Sequence, residues 1–208
     1  KEVVEAHRKG EIYWHDMGFS PAMPYTNCCL VDVENMFNNS FTLGSAHISN
    51  PKSILTATAI ASQIIAQVSS QQYGGTSLQN VDLLFEPYVE ASFQKHLNKL
   101  VEDFPTIPVK RLIELANKYT EKDTFDAFQA LEYELNSLFN SHAQTPFTSI
   151  SFNMGTSEAA RIIQKSILKN RLAGLGKKKQ TAIFPKLSFF CAEGINKNPE
   201  DPNYYIKQ

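Results

Sequence analysis

Apolar positions follow helical spacing along most of the chain and strand-like spacing in a few short segments. The helical spacing predicts helices over residues 1–9, 50–72, 78–100, 109–119, 124–140 and 157–174. Residues 12–16 are predicted to be a short extended piece, and strands are predicted over 28–33, 147–152 and 184–192. Strands separated by helices in this order predict an α/β fold with a mostly parallel sheet.

Several boundaries have a specific local signal. Asn50 and Pro51 suit the start of a helix, because Asn can cap it and Pro fits its first turn. Gly74 and Gly75 are predicted to end that helix in a left-handed conformation. The segment 184–192 is nearly all apolar, which is typical of strands buried on both faces. Cys191 lies in this run and is therefore predicted to be a buried thiol.

Composition narrows the class of protein. The chain has 208 residues, 42% hydrophobic and 20% charged, with a net charge of −1. This balance argues against a protein that coats nucleic acid or a membrane surface, and no apolar run approaches the roughly 20 residues of a membrane span. The charged N-terminus does not resemble a signal peptide. Three cysteines cannot all pair internally, which favours a reducing, cytoplasmic setting. The absence of CxxC and HxxxH spacings predicts no metal site.

Two adjacent cysteines, Cys28 and Cys29, stand at the start of the first predicted strand, after a proline-containing loop. A cysteine at such a position either fills the core as a small hydrophobe or presents a thiol at the end of a rigid element. Consecutive side chains on a strand point to opposite faces, so only one of the two can face a given side. The residues alone leave both alternatives open.

Longer motifs occur in one register from about residue 10 to the last residue. They include Thr26-Asn27-Cys28-Cys29-Leu30-Val31-Asp32, Gln72-Tyr73-Gly74-Gly75-Thr76, Asp126-Ala127-Phe128-Gln129-Ala130-Leu131-Glu132, Gln144-Thr145-Pro146-Phe147, Asn170-Arg171-Leu172-Ala173-Gly174-Leu175-Gly176 and Asp201-Pro202-Asn203-Tyr204. In this order they resemble the anaerobic (class III) ribonucleoside-triphosphate reductases. The resemblance implies part of a ten-stranded α/β barrel of the glycyl-radical enzyme type, helix-rich with a few mostly parallel strands. Residues 1–208 would form one segment, the N-terminal half of this catalytic barrel.

The resemblance also implies a chemistry. In such enzymes a glycyl radical on a C-terminal loop oxidises a cysteine on a central finger loop. The resulting thiyl radical abstracts the ribose 3′ hydrogen, water leaves from C2′, and formate supplies the reducing equivalents. A further cysteine on the first barrel strand serves the 2′ side of the sugar. By the Asn-Cys-x-Leu-x-Asp pattern Cys28 matches it, and Cys29 is then a packing residue.

Two further residues are candidates for substrate contact, each with a structural alternative. Asn27 could bond a substrate hydroxyl or cap the loop, and His15 could line the active site or be a hydrogen-bonded structural histidine. These 208 residues match no ATP-cone, finger loop, zinc module or glycyl-radical motif. We therefore expect no cofactor within this chain and no nucleotide turnover by the chain alone.

For the full-length family the resemblance implies several cofactors and partners. The cofactors are a glycyl radical, formate as reductant, ATP and deoxynucleoside triphosphate effectors, and a structural zinc. The substrate is a ribonucleoside triphosphate, and the expected protein partners are a second copy in a homodimer and a radical-SAM activating enzyme. Neither nucleic acid nor a membrane is expected.

Effector binding requires cations or N–H donors that converge on a triphosphate, best at a helix N-terminus. Lys52 is predicted in the first turn after Asn50-Pro51, with Gln63 three turns along and Lys95 on the next helix. A second candidate is the flexible basic loop Lys177, Lys178 and Lys179, within a stretch, 165–186, that holds seven basic residues and no acid. For each lysine the alternative is a solvated surface residue.

Two other functions remain open at this point. The chain could be a non-catalytic module for nucleotide binding or dimerisation. It could also be a segment of another glycyl-radical enzyme, such as one that resembles pyruvate formate-lyase, although the density of reductase-type motifs argues against this.

Overall fold

The fold is built from four parallel strands, a small hairpin and six α-helices, in a computed structural model that describes residues 1–14, 26–141 and 143–207. The elements are α1 (Glu2–Arg8), β1 (Cys29–Leu30), α2 (Val33–Asn39), β2 (Phe41–Leu43), β3 (Ala46–Ile48), α3 (Ile54–Ser69), β4 (Thr76–Leu78), α4 (Val81–Asp103), α5 (Val109–Ser137), β5 (Thr148–Phe152), α6 (Glu158–Ala173), β6 (Lys186–Phe189) and a 3₁₀ helix (Tyr204–Lys207).

The main sheet has the strand order β1-β4-β5-β6, and every neighbouring pair is parallel. Strands β2 and β3 pair with each other in a separate antiparallel hairpin. Parallel strands need crossover connections, and α3, the α4–α5 pair and α6 supply them in turn. The predicted α/β fold with a mostly parallel sheet is confirmed.

The core lies between one face of the sheet and helices α3 to α6. Leu78, Ile150 and Phe152 point from the strands into it, each at most 2% exposed. Phe85 of α4 meets Phe128 of α5 edge to face, with ring centroids 5.8 Å apart. Burying such a large aromatic pair contributes beyond its apolar area, so this contact ties the two longest helices together.

Helix α5 runs without a break through the point where two helices were predicted. The polar stretch at residues 119–123 interrupts the apolar pattern but not the helix. Thr120 and Thr124 are buried, and their hydroxyls donate to the carbonyls of Ala116 and Thr120, both at 2.8 Å. Hydroxyl groups that bond back to the preceding turn can be buried in a helix, so the periodic pattern underestimated its length.

The start of α3 also differs from the prediction. Ser53, not Asn50, is the N-cap, and its hydroxyl accepts from the backbone N–H of Thr56 at 3.3 Å. The helix ends at Ser69, several residues before Gly74 and Gly75. These two glycines are not among the residues with positive φ, so they do not terminate a helix in the left-handed conformation.

Four short elements before α4 were absent from the prediction. Helix α2 follows β1 directly, capped by Asp32, whose carboxylate accepts from Asn35 N–H at 3.1 Å. The hairpin of β2 and β3, with three residues in each strand, comes next, and β4 is also only three residues long. Strands this short carry too little alternation to stand out in a sequence.

The predicted doubly buried strand over 184–192 is wrong in length and in burial. Strand β6 spans Lys186–Phe189, and three of its four residues are exposed. Cys191 lies beyond the strand and is exposed, not buried. The reason is position: β6 is an edge strand, and helices cover only one of its faces within the described part of the chain.

No described helix has the length and apolar character needed to cross a membrane.

Candidate functional site

The chain segment with Cys28 lies against the segment that leads into β4. The N–H of Tyr73 donates to the carbonyl of Thr26 at 3.1 Å, and that of Gly74 donates to the carbonyl of Asn27 at 2.5 Å. The N–H of Cys29 in turn donates to the carbonyl of Gly75 at 3.0 Å. This parallel ladder holds Cys28 at the amino-terminal edge of the sheet.

Close approach explains both glycines of this segment. A methyl group at Gly74 would lie 2.6 Å from the carbonyl oxygen of Asn27 and 2.8 Å from Sγ of Cys28. One at Gly75 would lie 2.7 Å from the ring of Phe147. Real Cβ atoms do not approach that closely, so the glycines leave room for the thiol and for the aromatic ring.

The two cysteines are oriented differently. Cys29 is in register with Thr76 and Thr148, which are fully buried beneath the helices, and Cys29 itself is partly buried. Alternation places Cys28 on the opposite face, together with Leu30, which is 65% exposed. Cys28 is also exposed. One thiol therefore packs beneath the helices, and the other opens onto the face that the core helices leave free.

That open face is polar around its centre. Ser77 and Ser149 are in register on neighbouring strands, and their hydroxyl oxygens are 2.5 Å apart. Lys186 continues the same row on β6 and is exposed. A row of hydroxyls and an ammonium group next to a thiol can contact a polar ligand, whereas the opposite face of the same strands is a closed apolar core.

The predicted substrate residues have different outcomes. Asn27 is exposed beside Cys28, and its backbone carbonyl is held by Gly74. Its side-chain oxygen lies close to Gly74 as well. His15 falls outside the residues that the structure describes.

The structure brings two of the predicted effector residues into one region. Lys52 is exposed and directly precedes the cap Ser53, so it lies outside the first turn in which it was predicted. The N–H of Ile54 donates to Ser92 Oγ of α4 at 3.0 Å, and Lys95 follows Ser92 by about one turn. Gln63 is exposed on α3, nine residues after Ile54 and therefore about 14 Å along the axis.

The backbone donors at the start of α3 are mostly occupied. Ser92 accepts from Ile54, Ser53 accepts from Thr56, and the N–H of Ala57 donates to the carbonyl of Ser53. A phosphate at this helix end would therefore depend on lysine side chains more than on free N–H groups.

The basic loop forms a hydrogen-bonded turn. The backbone N–H of Leu175 donates to the carbonyl of Gln180 at 2.7 Å, and the N–H of Gln180 donates to the carbonyl of Leu175 at 3.1 Å. Lys177, Lys178 and Lys179 lie exposed between them. The N–H of Gly176 donates to Tyr133 OH of α5 at 2.5 Å. In the described part of the chain this turn contacts α5 and is not joined to Lys52 or Lys95.

Sequence reasoning missed a buried polar network at the carboxyl-terminal edge of the sheet. Oδ2 of Asp82 accepts from the N–H groups of Asn153 and Gly155, at 3.0 and 2.8 Å, and from Gln164 Nε2 at 2.7 Å. Asn203 is also fully buried and donates to the carbonyl of Gly155 at 2.6 Å. Partners this far apart in sequence leave no local signal. Their effect is to fix the loop between β5 and α6.

Solved structures share this architecture. An anaerobic ribonucleotide reductase from Thermotoga maritima with citrate in the active site matches with a TM-score of 0.59 and 19% identity, over 93% of this chain and 35% of that one. The same organism's enzyme in complex with dATP and CTP matches with a TM-score of 0.52 and 18% identity, over 82% of this chain and 28% of that one. The fold is thus the helix-rich α/β fold of anaerobic ribonucleotide reductases, and the predicted fold class is confirmed.

Sequence comparison identifies the family. The family model for anaerobic ribonucleoside-triphosphate reductase matches residues 1–208, and this chain belongs to that family of enzymes. The anaerobic ribonucleoside-triphosphate reductase of Enterobacteria phage T4 is 52% identical over 206 residues, which are 99% of this chain and 33% of the relative. The chain therefore spans about a third of that relative's length. The family resemblance drawn from the motifs is confirmed.

Proposed function

We propose that this chain is the N-terminal half of the catalytic barrel of an anaerobic reductase that converts ribonucleoside triphosphates to deoxyribonucleoside triphosphates. In this proposal Cys28 is an active-site thiol. The supporting observation is its position at the start of β1, on the face of a parallel sheet that the core helices leave open. In an α/β barrel the helices cover the outside and the other face lines the interior, where a substrate can be enclosed.

The proposed chemistry follows the family. A glycyl radical oxidises a finger-loop cysteine to a thiyl radical, which removes the ribose 3′ hydrogen. Water then leaves from C2′, and formate supplies the reducing equivalents. Cys28 serves the 2′ side of the sugar. Asn27 lies beside the thiol and contacts the substrate with its amide, and His15 is a further candidate for the same role. Gly74 leaves the thiol in place, because a methyl group there would lie 2.8 Å from Sγ.

The same proposal covers regulation and partners. Lys52, Gln63 and Lys95 contact a deoxynucleoside triphosphate effector, which lies along the exposed face of α3 and bridges two copies in a homodimer. The turn with Lys177, Lys178 and Lys179 contacts a phosphate of effector or substrate. The full-length protein carries the structural zinc, responds to ATP, depends on a radical-SAM activating enzyme and works in the cytoplasm.

Substitution of the two cysteines in the full-length reductase tests the proposal. We expect Cys28→Ala to abolish anaerobic formation of deoxynucleotide while substrate binding is retained, because the reacting thiol is lost but the fold is not. Cys29→Ala is the matched control and should keep most of the activity, because Cys29 packs on the other face. Turnover by the Cys28→Ala protein would refute the assignment.

A further inference from the structure

A groove between α5 and α6 concentrates positive charge on the outside of the fold. Its volume is about 360 Å³, and it is lined by Lys118 and Lys122 of α5 and by Lys165 and Lys169 of α6. The two lysines on each helix are four residues apart, so they lie one turn apart on the same face. Two pairs of lysines, one pair from each helix, thus line one space.

Few of these charges are neutralised. Lys122 forms an ion pair with Asp126 one turn along α5. Within the described residues, Lys118, Lys165 and Lys169 form no ion pair. Glu121 adds one carboxylate to the lining, so three lysines without an ion pair face one negative charge, beside the neutralised Lys122. Like charges at this spacing repel each other unless an anion lies between them.

One lysine of the groove is held in place by its surroundings. The ammonium group of Lys165 lies 5.5 Å from the ring centroid of Tyr205. The hydroxyl of Tyr205 donates to Gln164 Oε1 at 3.1 Å, which fixes the ring against α6. A cation fixed in this way loses less conformational freedom when it binds an anion.

The groove has features of a ligand site as well as charge. Phe125 and Ile162 add apolar surface to its lining, and Ser166 lines it as well. Its volume lies in the range of small-molecule clefts, about 300–1,000 Å³. Lysines bind phosphate as point charges and tolerate several phosphate positions. We propose that this groove binds the polyphosphate chain of a nucleoside polyphosphate.

This site is independent of the proposed active site and effector residues. It lies on α5 and α6. Lys52 directly precedes the cap of α3, Gln63 lies on α3, Lys95 lies on α4, and Cys28 directly precedes β1. The turn with Lys177, Lys178 and Lys179 follows α6 but contacts Tyr133 of α5 and does not line the groove. The inference therefore stands or fails separately from the proposed function.

The test uses the full-length reductase and a triple variant, Lys118→Gln, Lys165→Gln and Lys169→Gln. Calorimetric titration with inorganic tripolyphosphate and with ATP measures binding at low and at moderate salt. We expect the triple variant to lose roughly tenfold in affinity for tripolyphosphate, since three exposed charge contacts are removed. Hydrogen exchange should show ligand-dependent protection around the groove in the wild type and not in the variant.

The matched control changes net charge equally at lysines outside the groove: Lys9→Gln, Lys99→Gln and Lys110→Gln, which are all exposed. It should bind as the wild type does, and thermal melting verifies that both variants fold. ATP that binds more tightly than tripolyphosphate, with the same sensitivity to the variant, would identify a nucleotide ligand, and equal binding would identify the phosphate chain alone. Unchanged affinity in the groove variant, or an acidic peptide that outcompetes tripolyphosphate, would overturn the inference.

Discussion

Gly74 packs directly against the Cys28 thiol. Its Cα faces Sγ of Cys28 and the carbonyl of Asn27 so closely that any side chain must displace one of them. The Asn27 carbonyl accepts a backbone hydrogen bond from Gly74, so it cannot move without loss of pairing between the approaches to β1 and β4, and the Cys28 thiol is the group that yields.

For Gly74→Ala in the full-length reductase we expect a large loss of turnover, because the thiol is pushed from its position. The control is Gly10→Ala, where φ is +75° and the surrounding space is open. That change costs about 1 kcal/mol in backbone strain but leaves Cys28 untouched. Turnover and unfolding temperature are measured for both. Equal activity of the two variants would contradict the role given to Gly74.

Glu132 makes stability depend on pH. It is 6% exposed, and Arg171 Nε donates to its carboxylate at 2.7 Å. Burial raises the pKa of the Glu132 carboxyl above its usual value, and Arg171 opposes this only in part. Because the folded protein then holds the proton more tightly than the unfolded chain, the associated stability is present at low pH. It is lost as the pH rises from about 4 through the folded pKa.

We therefore expect Glu132→Gln to flatten the pH dependence of the unfolding temperature over that interval. The glutamine keeps an acceptor for Arg171 but does not titrate. Parallel melting curves of wild type and variant at several pH values measure the effect. An unchanged slope would show that Glu132 does not titrate in this range.

At the scale of elements, the contact between α3 and α4 positions the proposed effector residues. The bond from Ile54 to Ser92 joins the start of α3 to the middle of α4, and Lys52 and Lys95 each lie within three residues of this contact along the chain.

We expect Lys52→Gln or Lys95→Gln to weaken deoxynucleoside triphosphate binding several-fold by loss of a charge-assisted contact. Lys99→Gln is the control on α4, since Lys99 is exposed one turn further on. Equilibrium binding to the full-length protein measures the change, and self-association is followed in the same samples. If instead the Lys177, Lys178 and Lys179 substitutions alone weaken binding, the effector lies at the basic turn and not on α3 and α4.

At the scale of the whole molecule, the sheet is open at both edges in the described part of the chain. Strands β1 and β6 each pair on one side only. Leu30 on β1 is 65% exposed, and Phe189 on β6 is 38% exposed. Unpaired strand edges with exposed apolar side chains favour association with other chains.

For a polypeptide of these 208 residues alone we expect concentration-dependent self-association and no nucleotide turnover. The full-length reductase, in which further barrel strands would cover these edges, is the comparison. Sedimentation at several concentrations and an anaerobic turnover assay measure the two properties. Deoxynucleotide formation by the 208-residue polypeptide would contradict the proposed division of the active site.

Much of the fold could be predicted because its signals are local. Helix α6 was predicted correctly, from about Ser157 to its end at Gly174, because both ends and the apolar stripe lie within one stretch of sequence. The parallel sheet followed from the alternation of strands and helices, and the family followed from motifs in a single register. The separation of Cys28 from Cys29 also needed only the two-residue period of a strand.

Tertiary structure alone decided the features that depend on distant partners. Gly74 and Gly75 looked like a helix end but serve close approach to Cys28 and Phe147. The segment that leads into β6 is bonded to Asn136 of α5. The side-chain oxygen of Asn136 accepts from the backbone N–H groups of Ile183 and Phe184, which are more than 45 residues away in sequence. The composition of residues 184–192 suggested burial on both sides, yet β6 is exposed because no described element covers its second face. Local spacing determines which segments become helices or strands, whereas exposure and access to a thiol depend on what packs opposite them.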